Sequence, residues 1–169
     1  MPPLTSAPPP PVAPDDHLRG PPGGPVVIEY VDFECHFCRV AHVRLEPIAL
    51  QRVFRHFPVG SKHPRAWAAA SAAEAAAIQG RFWEMHDSLY AQQGRLEDPH
   101  LWRRAHDLGL DVDRFEADRR SPGVAARVKR DFDSGLRAGV MTTPTLFVDG
   151  RSHAGVPGGE FLQRLAATA

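Results

Sequence analysis

The chain has almost no cysteine. Cys35 and Cys38 are the only two in 169 residues, with two residues between them. That excludes the framework of a small secreted scaffold, which needs several disulfides closing long loops. The value of the pair is therefore chemical. Charge of one sign is also missing. Twenty basic residues balance twenty acidic ones, leaving no overall field to draw the chain to nucleic acid or an anionic membrane. Long hydrophobic runs are absent too. The most apolar stretch, Ala66 to Ile78, is mostly alanine broken by Ser71 and Glu74, too short and too weakly hydrophobic to span a bilayer. The first 25 residues lack a cationic start followed by an apolar core, so a cytoplasmic location is expected. What is present is an ordinary globular composition, 43% hydrophobic, enough for one domain with its own core.

Proline is concentrated at the start, at Pro2, Pro3, Pro8 to Pro11, Pro14, Pro21, Pro22 and Pro25. Residues 1–24 read as an extended, disordered tail, and residues 25–169 as the domain. Val26 to Phe33 is almost continuously β-branched or aromatic, the pattern of a central strand covered on both faces. A helix is predicted from Cys35 to about Arg52, with a kink at Pro47, then a strand over Val53 to Val59. Strand, helix, strand implies a right-handed parallel unit. Residues 64–138 are rich in helix formers punctuated by Gly80, Gly94, Pro99, Gly109 and Pro122, which predicts several short helices. In the last of these, Val124, Val128, Phe132 and Leu136 recur every four residues as one buried stripe. Thr145 to Val148 and Arg151 to Ala154 flank Asp149-Gly150, a hairpin turn signal. A terminal amphipathic helix follows Gly158-Gly159. The order is β-α-β, a helical block, then β-β-α.

Cys35 and Cys38 lie where the first strand gives way to a helix. A thiolate, not a thiol, attacks a disulfide, and unpaired backbone amides at a helix start lower a thiol pKa from its free value of about 8.5. His36 adds a charge or a hydrogen bond. Cys38, one turn further in, is placed to close onto Cys35. A rival reading binds zinc through Cys35, Cys38 and His42, with His56 or His63 as a fourth ligand. Glu29 stands inside the apolar strand, where an ionised carboxylate is expensive. It either relays the proton of Cys38, faces solvent, or pairs with an arginine. Asp32 and Glu34 read as capping or solvated groups. Pro144 opens a strand, and the base rate of about 5 to 6% for cis X-Pro bonds favours trans when taken alone. Phe82, Trp83, Met85, Leu89 and Tyr90 have the spacing of a core-facing helix, with His86 as a core histidine.

The segment Tyr30-Val31-Asp32-Phe33-Glu34-Cys35-His36-Phe37-Cys38 resembles the active-site segment of the DsbA-like thioredoxin-fold oxidoreductases, the branch with a helical insertion. Phe54-Arg55-His56-Phe57-Pro58-Val59 with His63-Pro64, Gln79-Gly80-Arg81-Phe82-Trp83-Glu84-Met85-His86-Asp87, and Gly139 to Gly150 extend the likeness over residues 26–169. The resemblance implies an α/β, thioredoxin-like domain with its insertion at about 62–138. It implies Cys35 as the exposed nucleophile, Cys38 as the resolving cysteine, and Thr143-Pro144 as a cis-proline loop whose Thr143 backbone pairs with substrate. His36, Phe37 and Glu29 would tune the site. The expected activity is thiol-disulfide exchange on protein or peptide substrates. It would run with glutathione or another oxidoreductase as redox partner, without bound cofactor or metal, and without nucleic acid or membrane. The alternative is a non-enzymatic redox-sensing or zinc-binding interaction module. Two residues depart from the common pattern: the dipeptide between the cysteines is His-Phe rather than proline and an aromatic, and Thr142 stands where glycine is common.

Overall fold

The computed structural model describes residues 8–169. Five strands form one sheet in the order β1-β3-β2-β4-β5: β1 His17–Arg19, β2 Val26–Val31, β3 Gln51–His56, β4 Thr145–Val148 and β5 Arg151–Ala154. β2 pairs parallel with β3, in the register Val26 to Gln51 through Val31 to His56, and antiparallel with β4. The crossover between β2 and β3 carries α1 (His36–Leu45), as a parallel pair requires. Between β3 and β4 lies the insertion, α2 (Ala66–Ile78), α3 (Phe82–Ala91), α4 (Asp98–Asp107), α5 (Val112–Arg119) and α6 (Pro122–Arg137), and α7 (Gly159–Thr168) ends the chain. The expected thioredoxin-like α/β order is thus present, with the Asp149-Gly150 hairpin turning at φ 49° and 74°, the left-handed pair such a turn uses.

Alternate residues of β2 serve opposite faces. Val27 packs with Leu45 of α1 and Leu165 of α7, while Tyr30 packs with Phe57, Ala138 and Phe147. The alanines of α2 are buried around most of its circumference because α3, α5 and α6 all pack against it. Small side chains allow that close approach. Cys35 and Cys38 belong to the same apolar cluster as these alanines, Phe33 and the face of α3.

Three expectations change. The tail does not extend to residue 24. Residues 1–7 lie outside the described residues, but His17–Arg19 add to the sheet antiparallel to β3. Arg55 donates to Pro10 O at 2.8 Å, to Pro11 O at 3.0 Å and to Asp16 Oδ2 at 2.9 Å. Proline carbonyls are full acceptors even though proline lacks an N–H, so a Pro-rich run can be held by a buried guanidinium. Helix α1 ends at Leu45 instead of kinking at Pro47, and β3 starts at Gln51 and ends before Phe57. Proline cannot supply the N–H that would continue the helix. Along α6, Val124 and Val128 are buried but Leu136 is 52% exposed, because steps of four drift by about 40° each on a 3.6-residue helix. The buried face continues through Asp131, Ser134 and Gly135. A Cβ on Gly135 would fall 2.6 Å from Phe57 Cδ2.

Candidate active site

β2 ends at Val31, and the segment Asp32-Phe33-Glu34 delivers Cys35 to the N-cap of α1. The Cys35 N–H donates to Asp32 O at 3.2 Å, and Cys35 O accepts from Cys38 N at 3.1 Å as the first turn closes. Gln93, from the insertion, clamps this bend by donating to Phe33 O at 2.8 Å and Cys35 O at 2.7 Å. On the far side the Cys35 thiol donates to Thr143 O at 3.5 Å. The Thr143-Pro144 peptide bond is cis.

The two thiols are unlike. Cys35 is lowered from 9.0 to about 5, chiefly because the Cys38 thiol hydrogen-bonds to its sulfur; burial works against this, and Thr143 and the backbone N–H groups of Cys38 and Phe37 add to it. The open helix end therefore contributes less than the neighbouring thiol. Burial pushes Cys38 up, and its bond to Cys35 and the nearby Cys35 charge act in the same direction. The Asp32 N–H donates to Cys38 Sγ at 3.4 Å. Cys35 is not the exposed nucleophile the resemblance implies: it is 4% exposed, against 1% for Cys38. It sits on the floor of a cleft of about 310 Å³, walled by Phe37, His63, Met141 and Thr143 among others. Phe37 is 62% and Met141 89% exposed, so two large apolar side chains stand open to solvent at the rim. His36, also exposed, lies at the same rim with its ring 5.9 Å from that of Phe37.

Glu29 is buried and ion-paired. Arg52 Nε and Nη2 donate to its two oxygens at 2.5 and 2.9 Å, and Arg52 Nη1 lies 3.2 Å from His42 Nδ1. Asp32 is buried rather than solvated. Its Oδ1 accepts from Glu34 N at 2.8 Å, and its Oδ2 accepts from Val59 N and from His63 Nδ1, each at 2.8 Å. The zinc grouping does not assemble. Among the described residues the clusters of metal-ligating side chains are His17, His56 and Glu74, and His42, His86 and Asp87; neither includes a cysteine. His42 stacks on Tyr90 beside the Arg52 guanidinium, where a further cation is repelled. Sequence reasoning missed Gln93, which carries no local signal. It also missed the Asp32–His63 pair, whose members stand 31 residues apart and meet only through the β2–β3 crossover.

A thioredoxin family model matches residues 13–165. The chain belongs to the thioredoxin family. Its fold is similar to those of DsbA-like oxidoreductases. The crystal structure of a thioredoxin-like oxidoreductase from Silicibacter pomeroyi superposes with a TM-score of 0.81 at 25% identity, covering 92% of both chains. Pseudomonas aeruginosa DsbA2 superposes at 0.72 with 27% identity, covering 91% of this chain and 94% of that one. The thiol-disulfide exchange protein alpha-DsbA2 from Wolbachia pipientis shares the fold, with a TM-score of 0.79 at 16% identity over 90% of this chain and 86% of its own. Curated relatives carry another name. A Na(+)/H(+) antiporter NhaA 3 from Salinispora tropica is 48% identical over 155 residues, 86% of this chain and 23% of the relative. An NhaA from Herminiimonas arsenicoxydans is 45% identical over 154 residues, 86% of this chain and 24% of the relative. The chain spans about a quarter of the length of these relatives. No helix among its described residues is long and apolar enough to cross a membrane. In this thioredoxin-family chain, then, Cys35, Thr143 and the exposed side chains of Phe37 and Met141 line one cleft.

Proposed function

We propose that the protein catalyses thiol-disulfide exchange on protein or peptide substrates through a reversible Cys35–Cys38 disulfide. The observation that carries this reading is geometric: Cys35, at the N-cap of α1, lines a cleft with Thr143 and lies 3.5 Å from Thr143 O, while Cys38 is buried one turn further in, surroundings that lower the Cys35 pKa and raise that of Cys38. One sulfur is a ready nucleophile and leaving group, while the other stays protonated and within hydrogen-bonding reach. In the reducing direction the Cys35 thiolate attacks a substrate disulfide, and Cys38 resolves the mixed disulfide. In the oxidising direction a substrate thiolate attacks Cys35 of the disulfide, Cys38 leaves, and a second substrate thiol then displaces Cys35 as a stable thiolate.

The apolar rim of Phe37 and Met141 favours polypeptide segments over small polar thiols. Among the described residues the Thr143 N–H makes no hydrogen bond, which leaves it able to pair with a substrate strand beside Cys35. A lowered Cys35 pKa stabilises the reduced form and so moves the pair towards oxidant relative to an unperturbed dithiol. Glutathione or another oxidoreductase would reset the pair, and a cytoplasmic location would hold it against a reducing pool.

The test is the equilibrium reduction potential of the pair, titrated in glutathione buffers with alkylation and mass readout, together with two variants. Cys35→Ser is expected to abolish exchange, and Cys38→Ser to accumulate mixed disulfides with substrate. Full exchange activity in Cys35→Ser, or no reversible two-electron transition in the native protein, overturns the reading.

A further inference from the structure

The cleft lined by Cys35 holds an ionisable group that the exchange steps above do not use. His63 Nδ1 lies 2.8 Å from Asp32 Oδ2. The Asp32 side chain is 0% exposed and that of His63 25%. A carboxylate only accepts, so Nδ1 carries the hydrogen, and the free acceptor of the neutral ring is Nε2. Among the described residues Nε2 takes no hydrogen bond, and His63 lines the same cleft as Cys35 and Thr143. A base whose far nitrogen is held by a buried acid, next to a nucleophile, is the arrangement that activates thiols and hydroxyls elsewhere.

We propose that His63 is a catalytic residue of thiol-disulfide exchange, the general base for the incoming substrate thiol and the general acid for the leaving one, with Asp32 as its positioning residue. The proposal rests on the exchange reading above. A substrate cysteine with an ordinary pKa of about 8.5 is mostly protonated at neutral pH, while Cys35 needs no base and Cys38 is shut away from solvent. The proton that needs handling is the substrate's. In the oxidising direction the substrate S–H gives its proton to His63 Nε2, and its electron pair attacks Cys35. The Cys35–Cys38 bond breaks, and Cys38 departs with that bond's electrons. In the reducing direction the Cys35 thiolate attacks, and the substrate sulfur that leaves takes a proton from the His63 imidazolium.

The charged groups facing His63 are few. From the segment leading into α1 they are Asp32, Glu34, Cys35 and His36, and from its own loop Lys62 and Arg65. Glu34 is engaged by Arg65 N at 2.6 Å, and the Arg65 side chain turns away to Leu96 O and Asp98. The third wall, Met141 to Thr143, carries no charge.

The experiment is the pH profile of kcat/KM for oxidation of a cysteine-containing peptide by the full chain and by His63→Gln, His63→Ala and Asp32→Asn. The ultraviolet titration of the Cys35 thiolate is followed in the same samples. His63→Gln is expected to lose about 100-fold at neutral pH, a typical general-base contribution, and to lose the pH limb that the full chain displays. Its Cys35 titration should not move. Added imidazole should restore part of the rate of His63→Ala, and Asp32→Asn should lower kcat/KM by less than His63→Gln does. The proposal is overturned if His63→Gln stays within about twofold with the same pH profile, or if a shift in the Cys35 titration accounts for the whole rate loss. If a glutamine variant does not fold, absence of any titrating limb in the full chain also overturns it. Failure of the exchange reading itself looks different, since the unmodified chain would then be inactive.

Discussion

Two buried carboxylates sit at opposite ends of one strand's work. Glu29 is inside β2 and Asp32 is just past its end, yet only the second is bonded to a side chain that lines the cleft. Glu29 is held by both arms of Arg52, a guanidinium that does not release its proton in proteins. Asp32 is held by two backbone N–H groups and an imidazole that reaches solvent. A carboxylate locked to arginine is a structural ion, whereas a carboxylate that orients histidine can act on a proton. Position in an apolar strand does not decide which of these a buried acid becomes; the partner does.

The largest test of that contrast is Glu29→Ala. It leaves the Arg52 charge, whose side chain is 6% exposed, unpaired in the core, and a loss of about 3–5 kcal/mol is expected in denaturant unfolding. The exchange rate per folded molecule should hold. A catalytic loss without that stability loss would break the comparison. Next is a test on the thiolate at the same end of the strand. A thiol lowered from 9.0 to about 5 favours the folded reduced protein most above its unfolded pKa, and that benefit is lost as pH falls through the folded value. Between pH 7 and 4.5 the reduced form should therefore lose roughly 2 to 3 kcal/mol relative to the oxidised form, read as converging thermal midpoints. Parallel midpoints across that range would contradict the assignment of the low value to Cys35. The smallest effect is expected for Asp32→Asn, which keeps one acceptor oxygen and leaves one buried donor short, costing about 1 to 2 kcal/mol by chemical denaturation. A cost as large as that of Glu29→Ala would mean that the two acids do the same job.

What the sequence displayed was local. The β-branched run of β2, the hairpin signal at Asp149-Gly150 and the spacing of the cysteines each act within a few residues, and each is seen where the pattern put it. What it concealed was long-range. β1 has three residues inside a Pro-rich stretch and exists only because β3 offers it a ladder. His63 gains meaning only when the chain has folded Val59 and its loop against Asp32. Among the three readings of Glu29 open at the sequence level, pairing with arginine is the one present. Its partner Arg52 was hidden because it sits in the neighbouring strand, not the next turn.

The sheet also governs where a foreign backbone can attach. Its two margins are β1, three residues long, and β5, four residues long. β1 is shielded further because Arg19 lies over Trp83 and is paired with Asp87, and β5 carries an exposed Arg151. Short, charged borders deny stray polypeptides a template for strand growth. The margins of the sheet therefore offer a foreign strand little, and the proposed pairing with substrate would fall to the Thr143 backbone beside Cys35 instead.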